Sequence, residues 1–469
     1  MGEGAVVMND VRVKYHDLLA RKSQLESNIG MQVIPEISPV LFPFQRDVVR
    51  FLLEIGRGAA FLDTGLGKTL VQLEWARHIP GRVLILAPLA VAAQTVTEAK
   101  DKLNMEIRHS RDGTTGDSKI VITNYERLEE FDVGQFTGVV LDESSILKSF
   151  MGKTKERLIE AFKDTPYRLC CTATPAPNDY MELGNHSDFL GVMRSNEMLS
   201  RWFINDTMAM GKYRLKGHAV KPFWEWIASW AACVSLPSDL GYDDDAFALP
   251  PLTPKRHICE SELRLNPEEG MLFDIPRVNA TELHAEKRAT LEQRVQVAME
   301  VIGAEPDEPW IVWCESNDES QALAKAFPHF VEVRGSMTAE MKEARLIAFS
   351  KGEVPGIITK PSIAGFGLNW QHSARVLFAS LSFSFENFYQ AIRRSWRFGQ
   401  SRPVNVHVII STAEVSVWET VERKMNAHDS MKESMRHASK AFAEGLTKTV
   451  KITYNPTCKA QTPSWLTTV

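Results

Sequence analysis

Three groups of residues from distant parts of the chain have the types and spacing to handle nucleotide phosphates. An apolar run, Ala59–Leu62, leads into Asp63-Thr64-Gly65-Leu66-Gly67-Lys68-Thr69, and a helical pattern over Leu70–His78 follows. In that setting Gly65 and Gly67 let the backbone wrap a phosphate with its N–H groups pointing inward. Lys68 adds a point charge for the β and γ phosphates, and the Thr69 hydroxyl is a ligand for Mg²⁺. The generic G-x-x-x-x-G-K-[ST] pattern asks for glycine where this chain has Leu62, so one of its elements is missing. A second apolar run, Val139-Val140-Leu141, ends in Asp142-Glu143. It is expected to deliver Asp142 to the Mg²⁺ shell and Glu143 to the attacking water. Gln390, Arg394 and Arg397 form the third group. The arginines are three apart and so share a face of a helix predicted over Glu386–Trp396. Each offers a planar, permanently charged fork to a phosphoryl transition state. An acidic pair after a strand is most often a helix cap, and an arginine pair most often a solvated face. The conjunction with a phosphate loop reverses both readings.

These groups need rigid elements to bring them together. Strand-length runs at Gly58–Leu62, Arg82–Ala87, Lys119–Thr123, Val139–Leu141 and Arg168–Thr172 are rich in Val, Ile and Leu and are separated by helix-length segments. Apolar runs without alternation indicate a parallel sheet covered on both faces. The grammar repeats in Trp310–Cys314, Val331–Val333, Gly356–Thr359, Ala374–Ala379 and Val404–Ile410. The expected fold class is therefore α/β, with two RecA-like parallel-sheet lobes in tandem. The expected divisions are an N-terminal extension over 1–40, a first lobe over 41–198 and a helical insertion over 199–257. A linker region over 258–302, a second lobe over 303–439 and a tail over 440–469 follow. The extension carries a helix-like stretch, Val11–Ser27, with no assignable chemistry.

The insertion contains Trp202, Trp224, Trp226 and Trp230, beside the basic run Lys212-Tyr213-Arg214-Leu215-Lys216. The stripe Phe223-Trp224-x-Trp226-x-x-x-Trp230 is read as the core of a small helical unit, with a base-stacking platform as the alternative. Whether Lys212, Arg214, Lys216 and Lys221 grip phosphates or form an ordinary solvated surface stays open.

Length and composition set bounds. The chain has 469 residues, a hydrophobic fraction of 44%, a charged fraction of 24% and a formal net charge of −5. This is the composition of an ordinary globular protein with more than one core, and it excludes a chain that binds nucleic acid through overall basicity. Nucleic acid would have to be held by a local groove. No apolar run reaches membrane-span length and no signal-peptide core is present, so a cytoplasmic location and no membrane partner are expected. The six cysteines lack C-x-x-C spacing and are read as buried free thiols. The histidines show no ligand spacing, so no metal beyond nucleotide-bound Mg²⁺ is expected.

With these residues in place the chain resembles the superfamily-two helicases and translocases, most closely their Swi/Snf-like branch in a compact form such as bacteriophages encode. The likeness covers roughly residues 41–200 and 256–430. Leu41-Phe42-Pro43-Phe44-Gln45 resembles the upstream segment whose glutamine contacts adenine, which nominates Gln45. Leu86-Ala87-Pro88 and Thr123-Asn124-Tyr125-Glu126 resemble segments that touch the nucleic-acid backbone. Thr172-Ala173-Thr174-Pro175 is similar to the motif coupling hydrolysis to lobe motion. In the second lobe Arg334-Gly335-Ser336 resembles a strand-contacting turn. Ala364-Gly365-Phe366-Gly367-Leu368-Asn369 resembles the family's fifth motif, which nominates Gly365 and Gly367. The series Gln390, Arg394, Arg397, Gly399 and Gln400 matches the sixth motif, the most branch-specific signal, and Lys148 stands where the branch has a lysine. Two departures stand out. Ser145 replaces the histidine of the acidic box, which predicts looser coupling, and Arg393 replaces a common acidic residue.

The resemblance implies an ATP hydrolase, dependent on nucleic acid, that converts closure of two lobes into movement, with ATP and Mg²⁺ between the lobes. Double-stranded DNA is the expected track. The alternatives are a motor subunit of a nuclease- or restriction-type complex, and an ATP-gated nucleic-acid clamp that remodels bound proteins; a nuclease or a replication or recombination factor is the expected kind of protein partner.

Overall fold

A computed structural model describes residues 29–88, 91–148, 152–205, 213–260, 280–364 and 369–443. The apolar runs of the first half become strands β1 (Arg57–Leu62), β2 (Val83–Ala87), β4 (Ile120–Asn124), β5 (Gly138–Asp142) and β6 (Tyr167–Cys171). With β3 (Arg108–His109) and β9 (Ala231–Val234) they make a seven-stranded sheet in the order β3-β4-β2-β5-β6-β1-β9. Every pair in it is parallel. Both faces are buried, and the two-residue period sorts the side chains between them. Ala59, Phe61, Leu84, Leu86, Val139, Leu141 and Cys170 enter one core. Ala60, Leu62, Val83, Ile85, Val140, Leu169 and Cys171 enter the other.

The second half builds β10 (Leu252–Cys259), β11 (Trp310–Trp313), β12 (Val331–Val333), β13 (Gly356–Thr359), β14 (Arg375–Phe378) and β15 (Val404–Ser411). These form a six-stranded sheet in the order β10-β15-β14-β11-β13-β12, again all parallel. Two lobes of the same construction result, which is the expected tandem of RecA-like sheets.

The segment between the lobes, read from sequence as mostly helical, needs correcting. Its helix is Val220–Ala228, and a short antiparallel ribbon joins β7 (Phe203–Asn205) to β8 (Tyr213–Leu215). Its main contribution is to the sheets, since β9 completes the first and β10 completes the second. The reason is the free edge of β1, whose backbone needs partners. Ala59 N donates to Trp230 O at 2.9 Å and Asp63 N to Val234 O at 3.0 Å. The aromatic stripe is core: Phe223, Trp224 and Trp230 are buried with Trp202 and Phe203 in the first lobe. Lys216 Nζ is occupied by the carbonyls of Ser200 and Arg201 at 3.0 and 2.9 Å. Lys212, Cys458 and the Val11–Ser27 stretch lie outside the described residues.

A 29-residue helix, Val415–Ala443, closes the described chain. Its first half packs Val417 and Val421 into the second lobe. Its second half packs Met431 and Met435 into the first. Among the described residues no helix is long and apolar enough to cross a membrane, and no group of three or more His, Cys, Asp or Glu could hold a metal ion.

Candidate nucleotide site between the lobes

The carboxyl ends of β1, β5 and β6 meet at one edge of the first sheet, where open parallel sheets bind ligands. From β1 the chain turns through Gly65 (φ +95°) and Gly67 (φ +77°, ψ +37°) into the Lys68–His78 helix, for which Gly67 is the N-cap. Both glycines occupy the left-handed region that a side chain disfavours. A Cβ at Gly67 would also run into Gln45 Nε2. Gln45 donates to Leu66 O at 2.8 Å and accepts from Phe42 N at 2.9 Å, so its carboxamide braces the loop from behind. Lys68 Nζ bonds Leu62 O at 3.2 Å, inside the loop it belongs to. Burial lowers its pKa, against the opposing charges of Glu143, Asp142 and Asp63.

At the end of β5 the carboxyl of Asp142 is buried, and burial together with the charge of Glu143 raises its pKa to about 7, with Lys68 pulling the other way. Such a carboxyl is short of positive charge, which suits a divalent cation, and Thr69 lies in the first turn of the Lys68–His78 helix. Glu143 has φ +52°, a left-handed conformation rare outside glycine and worth about 1–3 kcal/mol of strain. Thr172 Oγ1 donates to Glu143 Oε2 at 3.4 Å, tying the acidic pair to the end of β6. The next residue takes a contact that sequence reading did not find. His186 Nε2 and Ser144 Oγ lie 3.1 Å apart, and Asn185 Nδ2 donates to Leu147 O at 2.8 Å. Ser144, rather than Ser145, therefore links the acidic box to the helix after the coupling motif. His186 is 42 positions from its partner, so no local spacing announced it.

The second lobe meets this edge directly. The helix that bears Gln390 runs from Phe385 to Ile392, with Ser384 as its N-cap. It ends before the arginines, which corrects the expected helix to Trp396. Arg394 and Arg397 lie in the turns that follow, where Arg394 O accepts from Trp370 N at 3.0 Å. Gln390 Nε2 donates to Thr174 Oγ1 at 3.4 Å across the lobes. Arg394 is buried and bonds Gln390 O and Oε1 at 3.2 and 3.3 Å. Burial and the neighbouring Arg397 lower its pKa to about 9. Arg397 is half-buried, its pKa lowered by burial and partly restored by Glu98 and Glu143. A hydrogen-bonded chain thus runs from the coupling motif through Gln390 to Arg394.

Further cross-lobe contacts join residues whose partners nothing in the sequence indicated. Lys148 pairs with Glu386. Asp63 pairs with Arg393 and Lys432 and accepts from Tyr389. A Cβ on Gly65 would meet Phe398 N at 2.7 Å, so the loop and the arginine segment touch. A cleft of about 470 Å³ opens beside them, lined by Thr64, Gly65, Phe247, Trp396, Phe398 and Lys432 among others. Gly365 and Gly367 lie outside the described residues.

Buried histidines make the fold sensitive to acid. Burial lowers His186 to about 4, and burial with the adjacent Lys432 lowers His428 to about 3, from an ordinary 6.5. Because the folded pKa lies below the unfolded one, the unfolded chain takes up these protons first as pH falls. The stability they contribute is whole above about pH 6.5 and is lost progressively toward pH 3–4. Asp142 and Glu182, both raised to about 7, act in the opposite sense over the same range, so the histidine share is read from the difference between wild type and variant. Between pH 7.5 and 4.5, His186→Gln should lose less Tm than wild type, and an equal loss would contradict the assignment.

Two tandem sheets with a phosphate loop, an acidic pair and an opposed arginine segment define a nucleotide-driven two-lobe machine. Comparison with known sequences makes the class definite. The family model for DEAD/DEAH box helicase matches residues 33–183, and that for the helicase conserved C-terminal domain matches residues 293–399. Together they cover more than half of the chain, which belongs to the superfamily-two helicases and translocases, in their Swi/Snf-like branch. It is a nucleic-acid-dependent ATPase of that class. Protein p41 of Acyrthosiphon pisum secondary endosymbiont phage 1 is 23% identical, across 84% of this chain and 98% of its own length. Bacillus subtilis (strain 168) YwqA, provisionally named an ATP-dependent helicase/translocase, is 23% identical across 92% of this chain. Mouse (Mus musculus) ZRANB3, named a DNA annealing helicase and endonuclease, is 22% identical across 85%. The chain spans 52% of YwqA and 41% of ZRANB3, about half or less of each.

Proposed function

We propose that the protein is a double-stranded DNA translocase that hydrolyses ATP between its two lobes. The observation that carries this reading is the cross-lobe chain Thr174–Gln390–Arg394, which ties the arginine segment of one lobe to the coupling motif of the other. ATP is seated on Gly65–Thr69, with Lys68 leaving the Leu62 carbonyl for the β and γ phosphates. Gln45 braces the loop from behind, and the adenine contact that the resemblance implies for it would require its carboxamide to leave Leu66 O or Phe42 N. Thr69 and Asp142 hold Mg²⁺, which when bound neutralises phosphate charge and orients the transferred group. Glu143 holds and polarises the attacking water, and Arg394 and Arg397 meet the charge that spreads over the γ-phosphate in the transition state. Loss of that charge on hydrolysis weakens the arginine contact, and the lobes separate. Gly365 and Gly367 of the second-lobe motif would join the nucleotide-binding set.

DNA is favoured by the printed name of ZRANB3 and movement along it by that of YwqA, and the duplex form follows from the resemblance to the Swi/Snf-like branch. Grip through backbone phosphates would be without sequence preference and would weaken with salt. The test is ATP hydrolysis by the purified protein alone and with duplex DNA, single-stranded DNA or RNA, using Lys68→Ala as blank. Stimulation by duplex DNA is the expected result. Stimulation by single strands or RNA alone would overturn the choice of track, and Lys68→Ala turnover equal to wild type would overturn the site.

A further inference from the structure

Asp63 lies in the phosphate loop, and three side chains from across the cleft converge on its carboxylate. The Tyr389 hydroxyl donates to Oδ1 at 2.6 Å. Lys432 Nζ and Arg393 Nη2 approach Oδ2 at 2.7 and 3.2 Å. Lys432 also donates to the Tyr389 oxygen at 2.8 Å, which closes the network. The Arg393 guanidinium is sandwiched by aromatic faces, 4.4 Å from the Trp396 ring centre and 5.0 Å from that of Tyr389. Water has little access, since the side chains of Asp63, Arg393 and Lys432 are 11%, 7% and 16% exposed. Burial alone would favour the neutral acid. Arg393 first, then Lys432, overcome it and hold the carboxyl well below the usual carboxylate range.

We propose that Asp63 is a positioning residue for ATP hydrolysis. It docks the segment carrying Arg394 and Arg397 onto the phosphate loop, and through Lys432 it makes the C-terminal helix part of that docking. This rests on the proposed roles of the two arginines. Arg393 is covalently next to Arg394, and the backbone beyond Ile392 has left the helix for turns with backbone hydrogen bonds of their own, among them Trp370 N to Arg394 O, and side-chain anchors add to its placement. Gln390 anchors Arg394 from one side; Asp63 anchors Arg393 from the other. Asp63 is a poor candidate for direct nucleotide contact, because a carboxylate repels phosphates and its oxygens are already committed, Oδ1 to the Tyr389 hydroxyl and the Thr64 N–H and Oδ2 to the two cations. The C-terminal helix enters because Lys432 lies between Met431 and Met435, both packed in the first-lobe core, and Arg436 pairs with Asp239 of that lobe at 2.6 Å. A helix that starts in the second lobe is thus held by the first at the point where it meets Asp63. Removing one member of a buried charge network strands the others, so a change at Asp63 must loosen this junction.

The decisive variant is Asp63→Asn, which keeps the size and an acceptor for Tyr389 but loses the charge. Nucleic-acid-stimulated kcat is expected to fall about 10²-fold, the scale of an arginine displaced by about 1 Å. ADP affinity should hold, amide hydrogen exchange over 385–398 should rise, and Asp63→Glu should restore part of kcat. Unchanged exchange and turnover would overturn the proposal. Loss of ADP affinity together with kcat would also overturn it, by making Asp63 a builder of the loop itself. Lys432→Met should raise exchange over the same segment and carries the test if Asp63→Asn fails to fold. Should the wild-type protein show no stimulated turnover, the ATPase reading fails, while the exchange measurement still decides whether Asp63 docks the lobes.

Discussion

Replacing Arg397 with alanine is expected to cut nucleic-acid-stimulated kcat by about 10³-fold or more, the range of arginines that act on a transferring phosphoryl group. The affinity for ADP should be little changed, because the arginine meets charge that develops only as the γ-phosphate departs. The surroundings explain why Arg397 is the better probe of the pair. Its charge is felt at Lys68, and the charges of Glu98 and Glu143 are felt at Arg397. It is half-buried, so truncation leaves no sealed cavity. Arg394 is fully enclosed and hydrogen-bonded to Gln390, so removing it would also disturb the lobe junction and mix two effects. Arg397→Lys should recover little, since a point charge does not reproduce the planar fork. Steady-state turnover beside ADP titration checks both halves, and wild-type turnover in Arg397→Ala would remove the residue from the mechanism.

The central strands were readable because each is a short apolar run buried on both faces, rich in Val, Ile and Leu in β2, β4 and β5, and the runs alternate with helix-length segments as in a covered parallel sheet. The edges were not. β9 is four residues long and starts three positions after the Val220–Ala228 helix, so its apolar residues pass for a continuation of the helix. β10 reads Leu-Thr-Pro-Lys-Arg-His-Ile-Cys and is exposed over most of its length. A strand at the sheet edge needs backbone partners rather than apolar side chains, and composition is silent about those. The aromatic stripe was legible as core because ring-bearing residues at near-helical spacing bury one face. In the site, loop, acidic pair and arginines each carry a local pattern, and the structure places all of them at one junction. What holds that junction together carries none. Asp63, Arg393 and Lys432 come from three separate elements and meet only through the tertiary fold, as do Ser144 and His186.

Glu143→Gln is expected to separate binding from chemistry more sharply than any other change. If Glu143 polarises the attacking water as proposed, losing it should cost about 10²–10⁴-fold in kcat. ATP with Mg²⁺ should bind at least as well as to wild type, for an electrostatic reason. After burial, the charge of Glu143 is the main cause that raises the Asp142 carboxyl to about 7. Taking that charge away lets Asp142 ionise more readily at neutral pH, which favours the cation it is assigned to hold. Asp142→Asn should do the reverse, losing Mg²⁺-dependent ATP affinity together with turnover. The glutamine can keep the hydrogen bond from Thr172 Oγ1 through its carboxamide oxygen, so the left-handed backbone at this position need not relax. With hydrolysis blocked and nucleotide retained, the lobes should stay closed on DNA, and the dissociation rate from duplex DNA in ATP should fall well below that in ADP. Release of a fluorescent ATP analogue and of labelled duplex would measure both. A Glu143→Gln protein that binds ATP weakly, or that leaves DNA equally fast in ATP and ADP, would separate Glu143 from the water and uncouple the closure of the lobes from their grip.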